Sequence, residues 1–234
     1  MGAGLHLREV RLEYEGPAGA RRRVLDIPRF DVAAGARVGI AGPSGSGKTS
    51  LLYVLTGIEA PTTGEIVWAG VDVGSLPESA RDRWRRTNVG FVFQDFHLLP
   101  GMSAFDNVVI PATFAHARTP RLLMQRAREL LARVGIERAA GRVETFSRGE
   151  QQRIAVARAL LFLPPVVVAD EPTASLDADN AALVSDLLLS LCAADSSTLL
   201  VVSHDRRLLE RLDVVHTLVD GSLVSPPPKA LTAA

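Results

Sequence analysis

Eight consecutive residues, Gly42-Pro43-Ser44-Gly45-Ser46-Gly47-Lys48-Thr49, constrain this chain more than any other stretch. They fit the pattern G-x-x-x-x-G-K-[ST]. The apolar run Val38-Gly39-Ile40-Ala41 precedes them, and a helical pattern, Ser50-Leu51-Leu52-Tyr53-Val54-Leu55, follows. Strand, glycine-rich loop and helix in that order make a cradle for a chain of phosphates. The glycines let successive backbone N–H groups point inward, and the helix adds about half a positive charge at its N-terminus. In such a cradle Lys48 reaches the β- and γ-phosphates and the Thr49 hydroxyl ligates Mg²⁺, with Ser50 next in line. A plain glycine-rich turn ahead of a helix is the alternative, but a turn does not require the full eight-residue spacing. Lys48 and Lys229 are the only lysines in a chain otherwise supplied with arginine.

The bulk properties fit a folded globular domain. With 234 residues the chain has room for one sizeable domain, or a core with a small subdomain. Its 47% hydrophobic and 22% charged residues are ordinary for a soluble globular protein. Lys+Arg and Asp+Glu both number 26, and this neutrality argues against a nucleic-acid partner, which leaves a basic excess. Arg21-Arg22-Arg23 and the group Arg81, Arg83, Arg85, Arg86 read as solvated faces, with docking as the other reading of the second group. The single cysteine, Cys192, lies in a leucine-rich helical pattern and reads as packing; no disulfide framework exists, so a reducing compartment is expected. The N-terminus alternates through Leu5, Leu7, Val10 and Leu12, unlike a signal peptide. The longest apolar stretch, Ala159 to Ala169, is broken by Pro164-Pro165, whereas a membrane span needs about 20 apolar residues. No span is expected.

Periodicity predicts strands at 5–14 and 24–32 with a loop over Gly16–Arg23 between them, a buried strand at 37–42, and another at 64–73 before a polar segment with Pro77. A short strand follows at 89–94. From about 95 to 158 the pattern turns helical, with Leu123, Ala127, Leu130, Leu131 and Val134 on one face. Strand-like apolar runs return at Val166–Asp170 and Leu199–His204, as expected of parallel strands covered on both sides, with a crossover helix near Ala181–Leu191. Asp220-Gly221 reads as a hairpin turn, and residues 226–234 as a disordered tail.

Two further motifs carry chemistry. Val166-Val167-Val168-Ala169-Asp170-Glu171 is an apolar strand delivering adjacent carboxylates. After a phosphate loop, Asp170 suits Mg²⁺ and Glu171 suits a general base for an attacking water, a role whose loss costs about 10²–10⁴-fold in rate. Phe146-Ser147-Arg148-Gly149-Glu150-Gln151-Gln152-Arg153 opens a helix. Ser147 and Glu150 have capping-box spacing, so a well-capped helix alone would account for them.

Taken together, these motifs resemble the nucleotide-binding subunit of ABC transporters over residues 5–225. Phe146–Gln152 is similar to that family's signature, Gln94 to its Q-loop glutamine, Ser175-Leu176-Asp177 to its D-loop, His204 to its switch histidine and Tyr14 to the aromatic that stacks on adenine. The resemblance implies an α/β fold: a P-loop NTPase (ABC ATPase) core with an antiparallel β subdomain and an inserted helical subdomain at about 95–158. It implies an ATPase in which two copies pair head to tail as a homodimer around two ATP molecules with Mg²⁺. Each ATP would touch Gly42 through Thr49 of one copy and Ser147 and Gly149 of the other, with Tyr14, Ser50, Glu150 and Asp177 also binding nucleotide. Glu171, His204 and Gln94 would be catalytic, and Thr49, Gln94 and Asp170 would hold the metal. Arg148 stands where the family commonly has glycine, as does Ala174.

The run Gly90-Phe91-Val92-Phe93-Gln94-Asp95-Phe96-His97-Leu98-Leu99-Pro100 is more specific. It is similar to the group holding the lipoprotein-releasing, macrolide-export and cell-division ATPases. That implies attachment to an integral-membrane permease at the cytoplasmic face of the bacterial inner membrane, with export or lipoprotein release as the task. The alternative is a cell-division type regulatory ATPase that gates a cell-wall hydrolase and transports nothing. By the same resemblance the helical insert would hold the permease groove, with Phe96, Leu98, Leu99 and Met102 either lining it or packing the subdomain. DNA-repair and translation ATPases built on this cassette are disfavoured, since they carry long coiled coils or two cassettes.

Overall fold

The computed structural model describes residues 1–15, 21–115 and 119–224. The chain begins with two long antiparallel strands, β1 (Leu5–Glu15) and β2 (Arg21–Val32). β3 (Arg37–Ala41) feeds the glycine-rich loop and α1 (Lys48–Leu55). Next come β4 (Thr63–Trp68), β5 (Val71–Asp72), α2 (Glu78–Asn88) and β6 (Val89–Val92). The segment that follows is helical: α3 (Ala104–Ala115), α4 (Arg121–Arg133) and α5 (Arg148–Ala159). β7 (Val166–Asp170), α6 (Ala178–Ala194), β8 (Thr198–Val202), the short α7 (Arg206–Leu209), β9 (Val214–Val219) and β10 (Ser222–Val224) complete it.

Two sheets result. One is antiparallel, in the order β2-β1-β4-β5; the other has six strands, β10-β9-β3-β8-β7-β6, parallel except for the β9–β10 hairpin. The continuous apolar runs are explained by what covers the large sheet. Val166 and Val168 of β7, with Leu200 and Val202 of β8, pack toward α1 and the antiparallel sheet. Val167 and Ala169, with Leu199 and Val201, pack toward the helices α4, α5 and α6. Side chains alternate along a strand, so a strand buried on both faces needs an apolar residue at every position. Cys192 is fully buried in the helical layer, and burial pushes its thiol up to about 12. Arg126 of α4 ties that layer together: it donates to the carbonyls of Leu160 and Leu161 at the end of α5 and ion-pairs with Asp195 at 2.9 Å.

The structure departs from the sequence expectation at several elements. β2 starts at Arg21, inside the expected 16–23 loop, because Arg21, Arg22 and Arg23 pair across from Glu15, Tyr14 and Glu13. Opposite charges facing each other on one sheet support pairing. Residues 16–20 and 225–234, which hold the rest of that loop and the expected tail, lie outside the described residues. The single strand expected at 64–73 is two, split where Ala69 and Gly70 take positive φ. The helix α2 went unforeseen. It buries none of its residues, so it leaves no apolar stripe to read. Its support is charge placed against the helix dipole, Glu78 in the first turn and Arg85 and Arg86 in the last.

Candidate functional site

The parallel strands β3, β8, β7 and β6 are neighbours and all end on the same edge of the sheet. Loops leaving the carboxyl ends of such strands converge, which is where α/β sheets build ligand sites. From these four strands come the glycine-rich loop, His204, Asp170 with Glu171, and Gln94. A cleft of ≈ 670 Å³ opens there, walled by Tyr14, Ser44, Gly45, Gly47, Lys48, Thr49, Ser50, Gln94, Asp170 and Glu171.

The loop geometry suits phosphate. Gly47 caps α1 with φ of 100°, a left-handed conformation that a side chain would strain, and its conformation aims the helix N-terminus into the cleft. Lys48 Nζ rests on the carbonyls of Gly42 (3.0 Å) and Pro43 (2.8 Å), holding the ammonium over the loop. Ser46 Oγ is buried with no hydrogen-bond partner among the described residues. Thr49 Oγ1 donates to Asp170 Oδ2 at 3.0 Å. Burial raises the Asp170 pKa, the hydrogen bond from Thr49 opposes that, and the neighbouring Glu171 charge raises it further. A half-buried carboxylate beside a hydroxyl, with the Gln94 amide in the same cleft, is a hard-oxygen donor set short of ligands. That fits Mg²⁺, which takes one or two protein oxygens and fills its shell with phosphates and water.

Glu171 has φ of 45°, a strained conformation for a non-glycine residue. Its Oε2 lies 2.8 Å from His204 Nδ1 and accepts from the His204 backbone N–H at 3.3 Å. One edge of the carboxylate is thus fixed by the next strand's loop, while the residue itself lines the cleft. Tyr14, at the end of β1, is exposed and donates its hydroxyl to Glu59 at 2.7 Å.

Ser147, Gly149, Glu150 and Asp177 do not line this cleft. They form a second cluster. Ser147 caps α5 in a reciprocal capping box: Glu150 accepts from the Ser147 backbone N–H (2.8 Å), and Ser147 Oγ accepts from the Glu150 N–H (3.3 Å). The Ser147 backbone N–H, and the Ser147 hydroxyl donating to Glu150 Oε2 at 2.9 Å, hold the Glu150 carboxyl below its usual range. Asp177 caps α6 by accepting from the Asn180 backbone (2.9 Å) and side chain (2.6 Å). The two caps meet at Gly149, where any Cβ would lie 2.2 Å from Asn180 Oδ1. Arg148, beside them, stacks its guanidinium 5.3 Å from the Phe96 ring centre of its own chain.

Sequence reading missed several participants. Arg22, taken for a solvated loop residue, lines the cleft with Glu15 and Val24, because β2 extends further than its hydrophobic pattern. Gln152 is fully buried and donates to the Pro172 carbonyl (2.7 Å), joining α5 to the segment just after Glu171. Its only signal was a polar residue on the apolar side of α5. Asn180 showed none.

The chain was compared with known proteins. The model of the ABC transporter family matches residues 25–174. The lipoprotein-releasing system ATP-binding protein LolD 2 of Rhodospirillum rubrum is 44% identical over 207 residues, or 88% of this chain and 90% of that protein. LolD of Idiomarina loihiensis is 38% identical over 220 residues, covering 94% and 96%. Among solved structures, the dimeric post-hydrolysis state of an ATP-binding cassette with ADP and Pi superposes with a TM-score of 0.85 at 32% identity, covering 94% of this chain and 96% of that one. Likeness of this extent, on a cleft of this geometry, leads to one assignment: the chain belongs to the ABC transporter family.

Proposed function

We propose that the chain is the ATP-hydrolysing subunit of an ABC transporter of the lipoprotein-releasing type, working as a homodimer that closes around two ATP molecules and drives a membrane permease. One observation carries this reading. The phosphate loop, Asp170, Glu171 and Gln94 share a cleft, whereas Ser147, Gly149 and Asp177 stand off it in a cluster of their own. A single copy thus holds two separate half-sites, and a second copy turned head to tail completes each. The relatives' names favour lipoprotein release over the cell-division type of regulation.

In this reading residues 5–225 form one ATP-binding domain whose helical subdomain spans about 95–158. Tyr14 stacks on the adenine. Gly42, Pro43, Ser44, Gly45, Ser46, Gly47, Lys48, Thr49 and Ser50 bind the phosphates through backbone N–H groups, the Lys48 ammonium and hydroxyls. Thr49, Asp170 and Gln94 would hold Mg²⁺, which would supply positive charge against the phosphate oxygens. Glu171 takes the proton from a water aimed at the γ-phosphorus, and His204 holds that carboxylate in place through the 2.8 Å contact. The water oxygen bonds to phosphorus as the bond to the β-γ bridging oxygen breaks. Ser147, Gly149, Glu150 and Asp177 of the second copy meet the γ-phosphate across the seam, with the α5 N-terminus directed at it. ATP favours the closed pair because its γ-phosphate touches both halves, and hydrolysis removes that differential contact.

No helix among the described residues is long and apolar enough to cross a membrane. The subunit sits at the cytoplasmic face of a bacterial inner membrane through its permease. The docking surface is a cleft of ≈ 620 Å³ between α2, β6 and the helical segment. Phe91, Phe93, Ile110 and Phe114 line it together with Arg85 and Arg86 of the arginine group, whereas Phe96, Leu98, Leu99 and Met102 do not. Phe96 is buried, Leu98 packs on the core, and Met102 faces a separate cavity against Phe105 and Val109.

Glu171→Gln tests the reading. Phosphate release is expected to fall about 10²–10⁴-fold while ATP binding persists and gel filtration shows a nucleotide-dependent dimer. A variant that turns over at the normal rate, or stays monomeric with ATP bound, removes Glu171 from its role or the dimer from the cycle.

A further inference from the structure

The head of β2 carries three arginines in a row, and the middle one has no counter-ion. Arg23 lies 2.6 Å from Asp26, and Arg21 lies 3.7 Å from Glu13. Among the described residues no carboxylate lies within ion-pairing distance of Arg22. Residues 16–20, next to it in the chain, include no Asp or Glu. Arg22 instead lines the cleft that holds the phosphate loop, beside Tyr14 and Val24.

A bulge produces the difference. Leu12 pairs with Leu25 and Glu13 with Arg23, so Val24 is an extra residue with no partner on β1. One extra residue reverses the alternation of side chains beyond it. Arg21 and Arg23 therefore share the outer face with Glu13 and Asp26, their carboxylate partners. Arg22, directly across from Tyr14, shares the face of Leu12 and Leu25, which belong to the core that α1 completes. In an unbroken strand Arg22 would point away from the cleft. Val24 itself touches the phosphate loop: a Cβ on Gly47 would lie 3.0 Å from the Val24 carbonyl oxygen and 3.5 Å from its Cγ1. Arg22 stands two residues further along the strand, about 6.6 Å away and level with Tyr14.

Resting on the nucleotide-binding reading above, we propose that Arg22 is a further nucleotide-binding residue, whose guanidinium ion-pairs with the phosphate chain at its ribose end, away from the end that Lys48 serves. Position and charge select this role. A nucleotide with its phosphates on the loop and its base on Tyr14 must cross the space between them with its ribose and first phosphate, and Arg22 stands level with that crossing. The cleft sets two cations, Lys48 and Arg22, against the carboxylates of Glu15, Asp170 and Glu171. Lys48 Nζ is tied to the loop carbonyls of Gly42 and Pro43, so Arg22 is the cation left to meet the other end of the chain. A guanidinium donates to two phosphate oxygens at once, with more geometric specificity than a point charge. This contact is made alike before and during hydrolysis, so it sets affinity rather than rate.

The test titrates the unaltered protein, Arg22→Gln and Arg22→Lys with ATP and with ADP, at low and at high salt. Arg22→Gln should bind both nucleotides about 10-fold more weakly, the loss of one charged hydrogen-bonded contact. Arg22→Lys, which keeps the charge, should bind more tightly than Arg22→Gln. The gap between the unaltered protein and Arg22→Gln should narrow as salt rises, because an exposed pair is screened. In steady-state hydrolysis the loss should appear in KM, with kcat changed by less than about twofold. Without nucleotide Arg22→Gln should melt within about 2 °C of the unaltered protein. Affinity unmoved by glutamine, or a gap indifferent to salt, overturns the ion pair. A loss for ATP with none for ADP moves the contact to the γ-phosphate and overturns its placement. A larger fall in Tm assigns Arg22 to holding β2 on β1 and overturns the binding role. An unaltered protein that binds no ATP is a separate failure, that of the nucleotide reading itself.

Discussion

A methyl group placed on Gly149 probes the junction of the two loops assigned to the second half-site. The Cβ of Gly149→Ala would lie 2.2 Å from Asn180 Oδ1, 2.5 Å from its Cγ and 3.1 Å from its Cβ. Gly149 has ordinary helical φ, so the backbone itself accepts alanine and the cost is all collision. Ordinary contact starts near 3.4 Å, so Oδ1 must retreat by about 1.2 Å, more than a packed helix end yields. Rotating Asn180 away breaks its 2.6 Å hydrogen bond to Asp177, worth about 1 kcal/mol at this exposed position. The remaining Cβ–Cβ squeeze adds overpacking strain, and the two together come to about 2 kcal/mol. For a domain of this size that is a fall of about 4–8 °C in Tm. Asn180→Ala alone loses the same hydrogen bond, about 1 kcal/mol, but deletes both of the closest colliding atoms. The double variant should therefore melt close to Asn180→Ala, because the alanine at 149 no longer has Oδ1 to displace. Thermal and urea unfolding of the four proteins without nucleotide measures this. Losses that simply add, within about 0.5 kcal/mol, would refute the collision as the cause.

Three other outcomes follow from the same coordinates. Asp170→Asn should raise the Tm of the nucleotide-free protein at neutral pH and abolish its Mg²⁺-dependent ATP binding. The raised pKa means that the folded state holds the Asp170 proton more tightly, so this group's contribution falls as pH climbs from the ordinary carboxylate range through the raised value, and asparagine removes that dependence; a lower Tm for the variant at pH 7 would reject the desolvation account. Arg126→Ala should cost about 3–5 kcal/mol in urea unfolding, since it strands Asp195 and two carbonyls in a largely buried setting; a loss under about 1 kcal/mol would show the ion pair to be solvated. Tyr14→Ala should weaken ATP binding by about 5- to 150-fold in a fluorescent-nucleotide titration while Tyr14→Phe keeps most of it; equal losses would assign the tyrosine's effect to its hydroxyl and Glu59 rather than to stacking.

The amino-acid order by itself determined the local chemistry. Lys48 and Thr49 follow a glycine-rich loop, Asp170 and Glu171 end an apolar strand, and Ser147 stands three residues before Glu150. Each pattern acts within one turn or one strand, where spacing in sequence is spacing in space. Runs such as Val166–Ala169 likewise showed both-face burial, because period-2 alternation cannot vanish otherwise. Only the tertiary structure decided what faces what. It put Arg22 on the cleft wall through pairing with Tyr14 and joined Gly149 to Asn180 through two helix caps. It also formed α2, whose stabilisation comes from its ends and its neighbours rather than from an apolar stripe of its own. Contacts between residues far apart in the chain depend on strand order and helix approach, and no local pattern encodes those distances.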